Sequence, residues 1–387
     1  ETIPYDKRSG KIWFNGKTVD WKDANIHILN HGLHYASCVF EGERVYDGEI
    51  FKLEEHTERL FYSAKRMGIA VPYSQKEINE ACKSIVNIQK VQNGYVRPLI
   101  WRGSEMMAIS AQKNKIHVAV ATWEWGSYFD PKLKLNGIKL NISSWRRPAP
   151  NTIPWDTKAA GLYMICTLSK HEAEAKGFTD SLMLDHEGNI AEATGANVFF
   201  KSHNEELHTP IPDSFLDGIT RREVIKIAKS KGIKIIERKI KPEEMKEFVG
   251  CFLTGTAAEV TPVSQINEYK FKICNLISGL NDDYQKLVRG DKEIPIWGMP
   301  DVITAMNASN YKDGKIRVTH GESYIQFAKF SKKGTEIESI ISYGSSDHED
   351  SKYYSDQMDI YKKFGTKKMS FNREENYKNA IRIYNPK

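Results

Sequence analysis

Ser144-Trp145-Arg146-Arg147-Pro148-Ala149-Pro150-Asn151-Thr152-Ile153-Pro154-Trp155-Asp156-Thr157-Lys158-Ala159-Ala160-Gly161-Leu162-Tyr163 sets one lysine between a proline-punctuated loop and a run of small residues that opens a helix. An amine that forms a Schiff base must be partly neutral, which a poorly hydrated pocket or a neighbouring cation provides. It must also approach a flat molecule closely, and Ala159, Ala160 and Gly161 leave room for that. Lys158 is therefore a candidate active-site amine. On residue type alone a solvated lysine competes with this reading, because Lys and Arg total 56.

Upstream, Ile12-Trp13-Phe14 and Thr18-Val19 flank Asn15-Gly16, a pair suited to the positive φ angles of a two-residue hairpin. His34-Tyr35-Ala36-Ser37-Cys38-Val39-Phe40-Glu41-Gly42 leads through Val45-Tyr46 to a second such turn at Asp47-Gly48. From Lys52 to Met67, Leu53, Leu60, Ala64 and Met67 recur at helical spacing, and Gly68 marks the stop. Arg59 lies within that helix. Gly94 to Ile100 reads as a strand with Tyr95 and Arg97 on one face, a pair able to grip a carboxylate, and Pro98 predicts an edge or a bulge. Ile116 to Ala121 is another strand, and Gly126 to Gly137 a linker.

Downstream, Gly161 to Gly177 reads as a helix carrying Tyr163, Ser181 to Asp185 as a strand, and Ile190 to Phe200 as the next strand, carrying Glu192. Leu216-Asp217-Gly218-Ile219-Thr220-Arg221-Arg222-Glu223 predicts a helix start with Thr220 and Glu223 as a capping box, ending near Gly232. Cys251 to Glu259 is a strand running into the small-residue turn at Thr256-Ala257.

These segments resemble, in order from Ile12 to about Arg289, the branched-chain amino acid aminotransferases, pyridoxal-phosphate (PLP) enzymes of fold type IV. The resemblance implies a two-domain α+β architecture, with a small N-terminal domain at 1–128 and a large lysine-bearing domain at 129–289. It implies that Lys158 holds PLP as a Schiff base and moves the substrate proton. Arg59, Ile219, Thr220 and Thr256 would anchor the phosphate, and Tyr163 would bond the phenolic oxygen. Glu192 would face the ring nitrogen, since a carboxylate among Ala, Thr and Gly needs such a partner. Tyr35, Phe40 and Gly42 would face the substrate side chain, Tyr95 and Arg97 the distal carboxylate of glutamate, and Ala257 the α-carboxylate. Without the resemblance Tyr35 and Phe40 read as sheet core. The implied reaction exchanges amino groups between Leu, Ile or Val and 2-oxoglutarate in a homo-oligomer, a dimer or larger. A D-amino acid aminotransferase or aminodeoxychorismate lyase of the same fold is the alternative, and a non-catalytic fusion or interaction protein a further one.

Residues 290–387 fall outside that resemblance and form a β-rich appendage, with β-like runs at Ser323 to Phe330 and Glu338 to Tyr343. His320-Gly321-Glu322-Ser323-Tyr324, Tyr343-Gly344-Ser345-Ser346 and Tyr353-Tyr354-Ser355-Asp356-Gln357 resemble the extreme C-terminus of penicillin-acylase-type amidohydrolases. Those acylases attack with a free N-terminal serine that nothing in the tail replaces, so the appendage is expected to be non-catalytic. Asp347-His348-Glu349-Asp350 reads as a solvated loop, and no metal site is expected.

Composition agrees with an ordinary soluble protein, 40% hydrophobic and 27% charged. The net charge of +6 is spread along the chain and argues for neither nucleic acid nor an anionic membrane. Five scattered cysteines without a Cys-x-x-Cys pair, no basic-then-apolar leader at Glu1 and no long apolar run point to a cytoplasmic location. The chain starts without Met, so residues preceding Glu1 are expected.

Overall fold

Asn15 and Gly16 turn with φ of 49° and 84°, the two positive angles that a short hairpin needs, and so join β1 (Lys11–Phe14) to β2 (Lys17–Asp20). The computed structural model describes residues 3–129 and 136–289, together with the backbone of three later strands. After the short helix α1 (His31–Tyr35) come β3 (Cys38–Phe40), β4 (Glu43–Tyr46) and β5 (Glu49–Ile50), the last two joined at Asp47-Gly48 with φ of 52° and 86°. Helices α2 (Leu53–Arg66) and α3 (Gln75–Gln89) lead to the long strands β6 (Gly94–Arg102) and β7 (Ile116–Glu124). The sheet runs β2-β1-β7-β6-β4-β5, with β3 also on β6. Leu53, Leu60 and Ala64 on one face of α2 pack with Val39, Val96 and Val118 of the sheet, as their spacing predicts.

Pro98 sits in the interior of this sheet, not at an edge. Strand β6 pairs with β7 along its whole length, but on its other side β3 covers Leu99 to Trp101 and β4 covers Gly94 to Val96. Pro98 falls where that neighbour breaks, opposite Glu41-Gly42, and its carbonyl accepts from the Glu41 amide at 2.9 Å. The irregularity belongs to the partner strand.

The second half of the chain supplies β8 (Ile138–Arg146), a 3-10 turn at Ala160–Tyr163, helix α4 (Met164–Ala175), β9 (Asp180–Leu184), β10 (Ile190–Ala193), β11 (Asn197–Ser202) and β12 (Leu207–Thr209). It continues with α5 (Ile219–Ser230), β13 (Ile235–Glu237), β14 (Phe248–Gly255), β15 (Glu259–Ile266), β16 (Tyr269–Lys270) and α6 (Asn275–Arg289). The order β10-β9-β8-β15-β14-β11 closes on itself through a β10–β11 pairing, and a closed ring leaves those strands no free edge. Its filling includes Ile138, Leu182, Val198, Leu253 and Val263.

Two expectations need correcting here. Ile190 to Phe200 is not one strand: Thr194, Gly195 and Ala196 fold the chain back, so that Glu192 lies opposite Asn197. The helix at 219 has Gly218 as its N-cap and no side-chain cap. Glu223 cannot close a box with Thr220 because its carboxylate is held by Lys226 at 2.7 Å and Lys52 at 3.2 Å. A capping box forms in the other half of the chain, at Ser74 and Glu77, opening α3.

Residues Glu1–Pro295 form one unit and Ile296–Lys387 another. In the second, β17 (Ile316–His320), β18 (Tyr324–Phe330) and β19 (Ile337–Gly344) make an antiparallel sheet, as the alternating runs suggest. Asp347 to Asp350 lie outside the described residues, as does most of the 126–137 linker beyond Phe129. Among the described residues no helix is long and apolar enough to cross a membrane.

Candidate active site

Lys158 is pinned to the first sheet from both sides. Its amide donates to Ser63 Oγ of α2 at 3.0 Å, its carbonyl accepts from the Phe40 amide at 3.1 Å, and Ala159 bridges Val39. The side chain lies against the rings of Phe40 and Tyr163, 5.0 and 5.1 Å from Nζ, and Nζ donates to Tyr163 Oη at 2.8 Å. Burial lowers the lysine pKa against the opposing pull of Glu41, and Arg59 adds to the lowering.

The cavity around Lys158 gathers Gly42, Arg59, Tyr95, Tyr163, Glu192, Ile219, Thr220, Thr256 and Ala257. At one side Glu192 is 8% exposed, with Arg147 Nε 3.4 Å from one carboxylate oxygen and Asn197 Nδ2 donating to the other at 3.4 Å. Burial pushes its carboxyl up to about 7, while Arg147 and Lys158 pull the other way. At another side the first turn of α5 presents its unpaired amides, and Arg59 joins them from α2. Thr254 Oγ1 is buried there without a hydrogen-bond partner.

The donors fit PLP. An amine, a carboxylate for a ring nitrogen, a phenol, and a seat made of a helix N-terminus, a guanidinium and two hydroxyls are complementary to its carbonyl, pyridine and dianionic phosphate. The buried unsatisfied hydroxyl of Thr254 lines the same cavity and suits an acceptor brought by a ligand.

Phe40 and Arg97 line an adjoining cavity, which shares Tyr95, Lys158, Tyr163 and Ala257 with the first. The Arg97 guanidinium lies over Phe40 at 4.7 Å and near Tyr95 at 5.4 Å, and its buried Nε has no hydrogen-bond partner. Gly42 is required by Tyr95, since a Cβ there would stand 1.6 Å from Tyr95 Oη. Tyr35 is placed elsewhere: it is 45% exposed at the end of α1, its hydroxyl donates to the Met107 carbonyl at 3.2 Å, and it lines neither cavity.

Sequence reasoning overlooked several neighbours. Trp125 and Tyr128 line the Arg97 cavity although they fall at a linker. Arg147 is one of two consecutive arginines, and nothing in the pair says which is buried. Glu41 is fully buried against Arg59 and His56. Thr254 alternates with Thr256, which was the available signal.

Residues 38–266 match the amino-transferase class IV family. A probable branched-chain-amino-acid aminotransferase of Rickettsia bellii is 43% identical over 283 residues, covering 72% of this chain and 96% of that one. The chain belongs to the branched-chain amino acid aminotransferases of class IV. The Escherichia coli K12 branched-chain-amino-acid aminotransferase is 38% identical over 67% of this chain and 86% of its own. Among solved structures, a branched-chain amino acid aminotransferase from T.th. with pyridoxamine 5'-phosphate matches at a TM-score of 0.71 and 36% identity, over 73% of this chain and 95% of that one. The same enzyme complexed with N-(5'-phosphopyridoxyl)-L-glutamate matches at 0.70 and 35%, over the same shares. Residues 256–378 match the penicillin amidase family, so the tail resembles that family as expected.

The Glu192 environment sets a pH dependence. A folded-state pKa raised from 4.5 to about 7 means that between those values the folded protein keeps a proton the unfolded chain has lost, so stability falls as pH rises through that window. In cofactor-free protein, Glu192→Gln should remove this part of the decline. Urea unfolding from pH 4.5 to 8 checks it: wild type and variant should converge at the acid end and diverge toward pH 7.

Proposed function

We propose that the residues gathered around Lys158 carry out this enzyme's transamination between branched-chain amino acids and 2-oxoglutarate. The observation that carries the proposal is the convergence of Lys158, Tyr163, Glu192, Arg59 and the α5 N-terminus on one cavity. Bound PLP supplies an electron-withdrawing ring that stabilises negative charge at the substrate α-carbon.

Lys158 would hold the cofactor by its carbonyl carbon, and its Nζ would take and return the substrate α-proton. Tyr163 holds that amine in place and bonds the phenolic oxygen. Glu192, kept near neutrality by burial and braced by Arg147, bonds the ring nitrogen. Arg59, Thr256 and the Ile219 and Thr220 amides bind the phosphate, with Thr254 as an added hydroxyl. Phe40, Tyr95 and Gly42 wall the substrate side chain, Arg97 receives the distal carboxylate of glutamate, and Ala257 meets the α-carboxylate. The unpartnered Arg97 Nε supports this: a buried guanidinium among aromatic rings is costly until an anion joins it.

Exposed apolar side chains support a homo-oligomer, a dimer or larger. Ile28 (69% exposed), Leu33 (58%) and Ile109 (82%) lie on segments tied together by the Tyr35 hydroxyl on Met107 and His31 Nε2 on the Ala108 carbonyl. Exposed apolar side chains on neighbouring segments favour a contact surface, and a second copy laid on it would bring Tyr35 into use. Ile109→Lys should yield a smaller species in sedimentation velocity than the unsubstituted protein.

Three further outcomes test the reading. Lys158→Ala should leave no borohydride-fixable cofactor on the protein by intact mass, whereas attachment at native stoichiometry would remove the assignment. Arg97→Leu should slow the half-reaction with glutamate roughly ten- to a hundredfold, the size of a lost charge-assisted contact. Leucine, which lacks the distal carboxylate, should be far less affected, and single-turnover absorbance with each amino acid separates the cases. With 1–128 and 129–289 as the two catalytic domains and 290–387 as a non-catalytic appendage, removing residues after Arg289 should preserve most of the activity in a soluble product.

A further inference from the structure

Glu41 stands at the break between β3 and β4, wholly buried, with a carboxylate that accepts four hydrogen bonds. Arg59 Nε donates to Oε1 at 2.6 Å. Arg59 Nη2 at 2.9 Å, His56 Nδ1 at 2.7 Å and the Gly42 amide at 3.2 Å donate to Oε2. An ionised carboxylate is an acceptor only, and here one donor falls on Oε1 and three converge on Oε2. The main chain is fixed as well, by the Glu41 amide on the Pro98 carbonyl. Arg59 spends one edge of its guanidinium on this contact, while Nη1 makes no hydrogen bond among the described residues and the side chain lines the Lys158 cavity.

We propose that Glu41 is a positioning residue that aims Arg59 at the cofactor phosphate, with His56 and the Gly42 amide holding Glu41 in turn. The inference rests on the assignment of Arg59 to the phosphate. A guanidinium on a free stem loses rotamer freedom when it grips an anion, and one held beforehand loses little. Two effects of the Glu41 charge compete. Held close to Arg59 it weakens the pull on a phosphate, so if charge alone mattered its removal would tighten binding. The four-donor geometry points the other way: a Gln amide places N–H groups against donors, and the side-on fork cannot survive. Aim outweighs charge.

The test uses full-length, cofactor-free protein titrated by tryptophan fluorescence with 4-deoxypyridoxine 5'-phosphate and with 4-deoxypyridoxine. The two differ only in the phosphate, and neither carries the carbonyl that engages Lys158. Glu41→Gln should weaken the phosphorylated ligand roughly tenfold or more and leave the unphosphorylated one within about twofold. Arg59→Met should do the same, and the double variant should bind no worse than Arg59→Met alone. Equal weakening of both ligands by Glu41→Gln would reduce Glu41 to framework, and unchanged or tighter phosphate binding would also overturn the proposal. If Arg59→Met itself spares the phosphate preference, the Arg59 assignment falls and takes this inference with it. Should Glu41→Gln not fold, the Arg59 Nε–H in unsubstituted protein decides by ¹⁵N NMR. Slow exchange before ligand is added is expected, and fast exchange until phosphate binds overturns it.

Discussion

The site depends on how the lysine backbone is tied down. Lys158 comes from a loop in the second half of the chain, yet its amide, its carbonyl and the following residue are held by Ser63, Phe40 and Val39 of the first half. These contacts make the loop behave as one more strand beside β3. A lysine stem has several rotatable bonds, so fixing the base of that stem limits where Nζ can travel. Phe40 and Tyr163 then confine it laterally. Loosening that attachment would move the amine relative to each other group in the cavity.

Around that anchor, charged groups are buried in two different ways. Glu41 and Arg59 satisfy one another completely on one edge, with His56 closing the cluster, and Glu41 stays ionised despite its burial because the Arg59 charge and the donors around the carboxylate outweigh it. Glu192 and Arg147 are looser, at 3.4 Å, and the carboxyl is pushed up to about 7. Arg97 has neither arrangement among the described residues, only aromatic faces. Close pairing suits a group whose geometry must stay constant. A loosely braced carboxyl near neutrality suits one that shares a proton, and an unpaired cation suits one that waits for an anion.

The sequence was most informative where local chemistry dictates local geometry. Asn15-Gly16 and Asp47-Gly48 announce their hairpins because few residues tolerate two positive φ angles in succession. Helix α2 follows from the spacing of Leu53, Leu60 and Ala64. Most of the candidate site was legible only through resemblance, since Lys158 and Glu192 look ordinary until the fold brings β10 beside the lysine loop. What escaped was set by tertiary pairing. Glu41 and Arg147 each matter for the residue they face, and those residues lie farther along the chain on other elements: Glu41 meets Arg59 of α2 and Arg147 meets Glu192 of β10. The capping box at Thr220 failed for a related reason, because Lys52, from the other half of the chain, claims Glu223.

The two halves also divide the chemistry. The closed ring and the helix it supports provide Glu192, Asn197, the α5 amides and Thr254 on strands and a helix end, and Thr256 on the turn between β14 and β15. The open sheet provides Phe40, Gly42, Tyr95 and Arg97 on β3, β6 and the break between β3 and β4. A cofactor that stays bound through every turnover needs a rigid seat, whereas a wall that accepts both an aliphatic side chain and a carboxylate needs varied side chains on a regular frame. Arg59, proposed for the phosphate, is the exception, delivered from the open-sheet half. It donates two hydrogen bonds to the wholly buried Glu41, as a contact that must hold its aim would require.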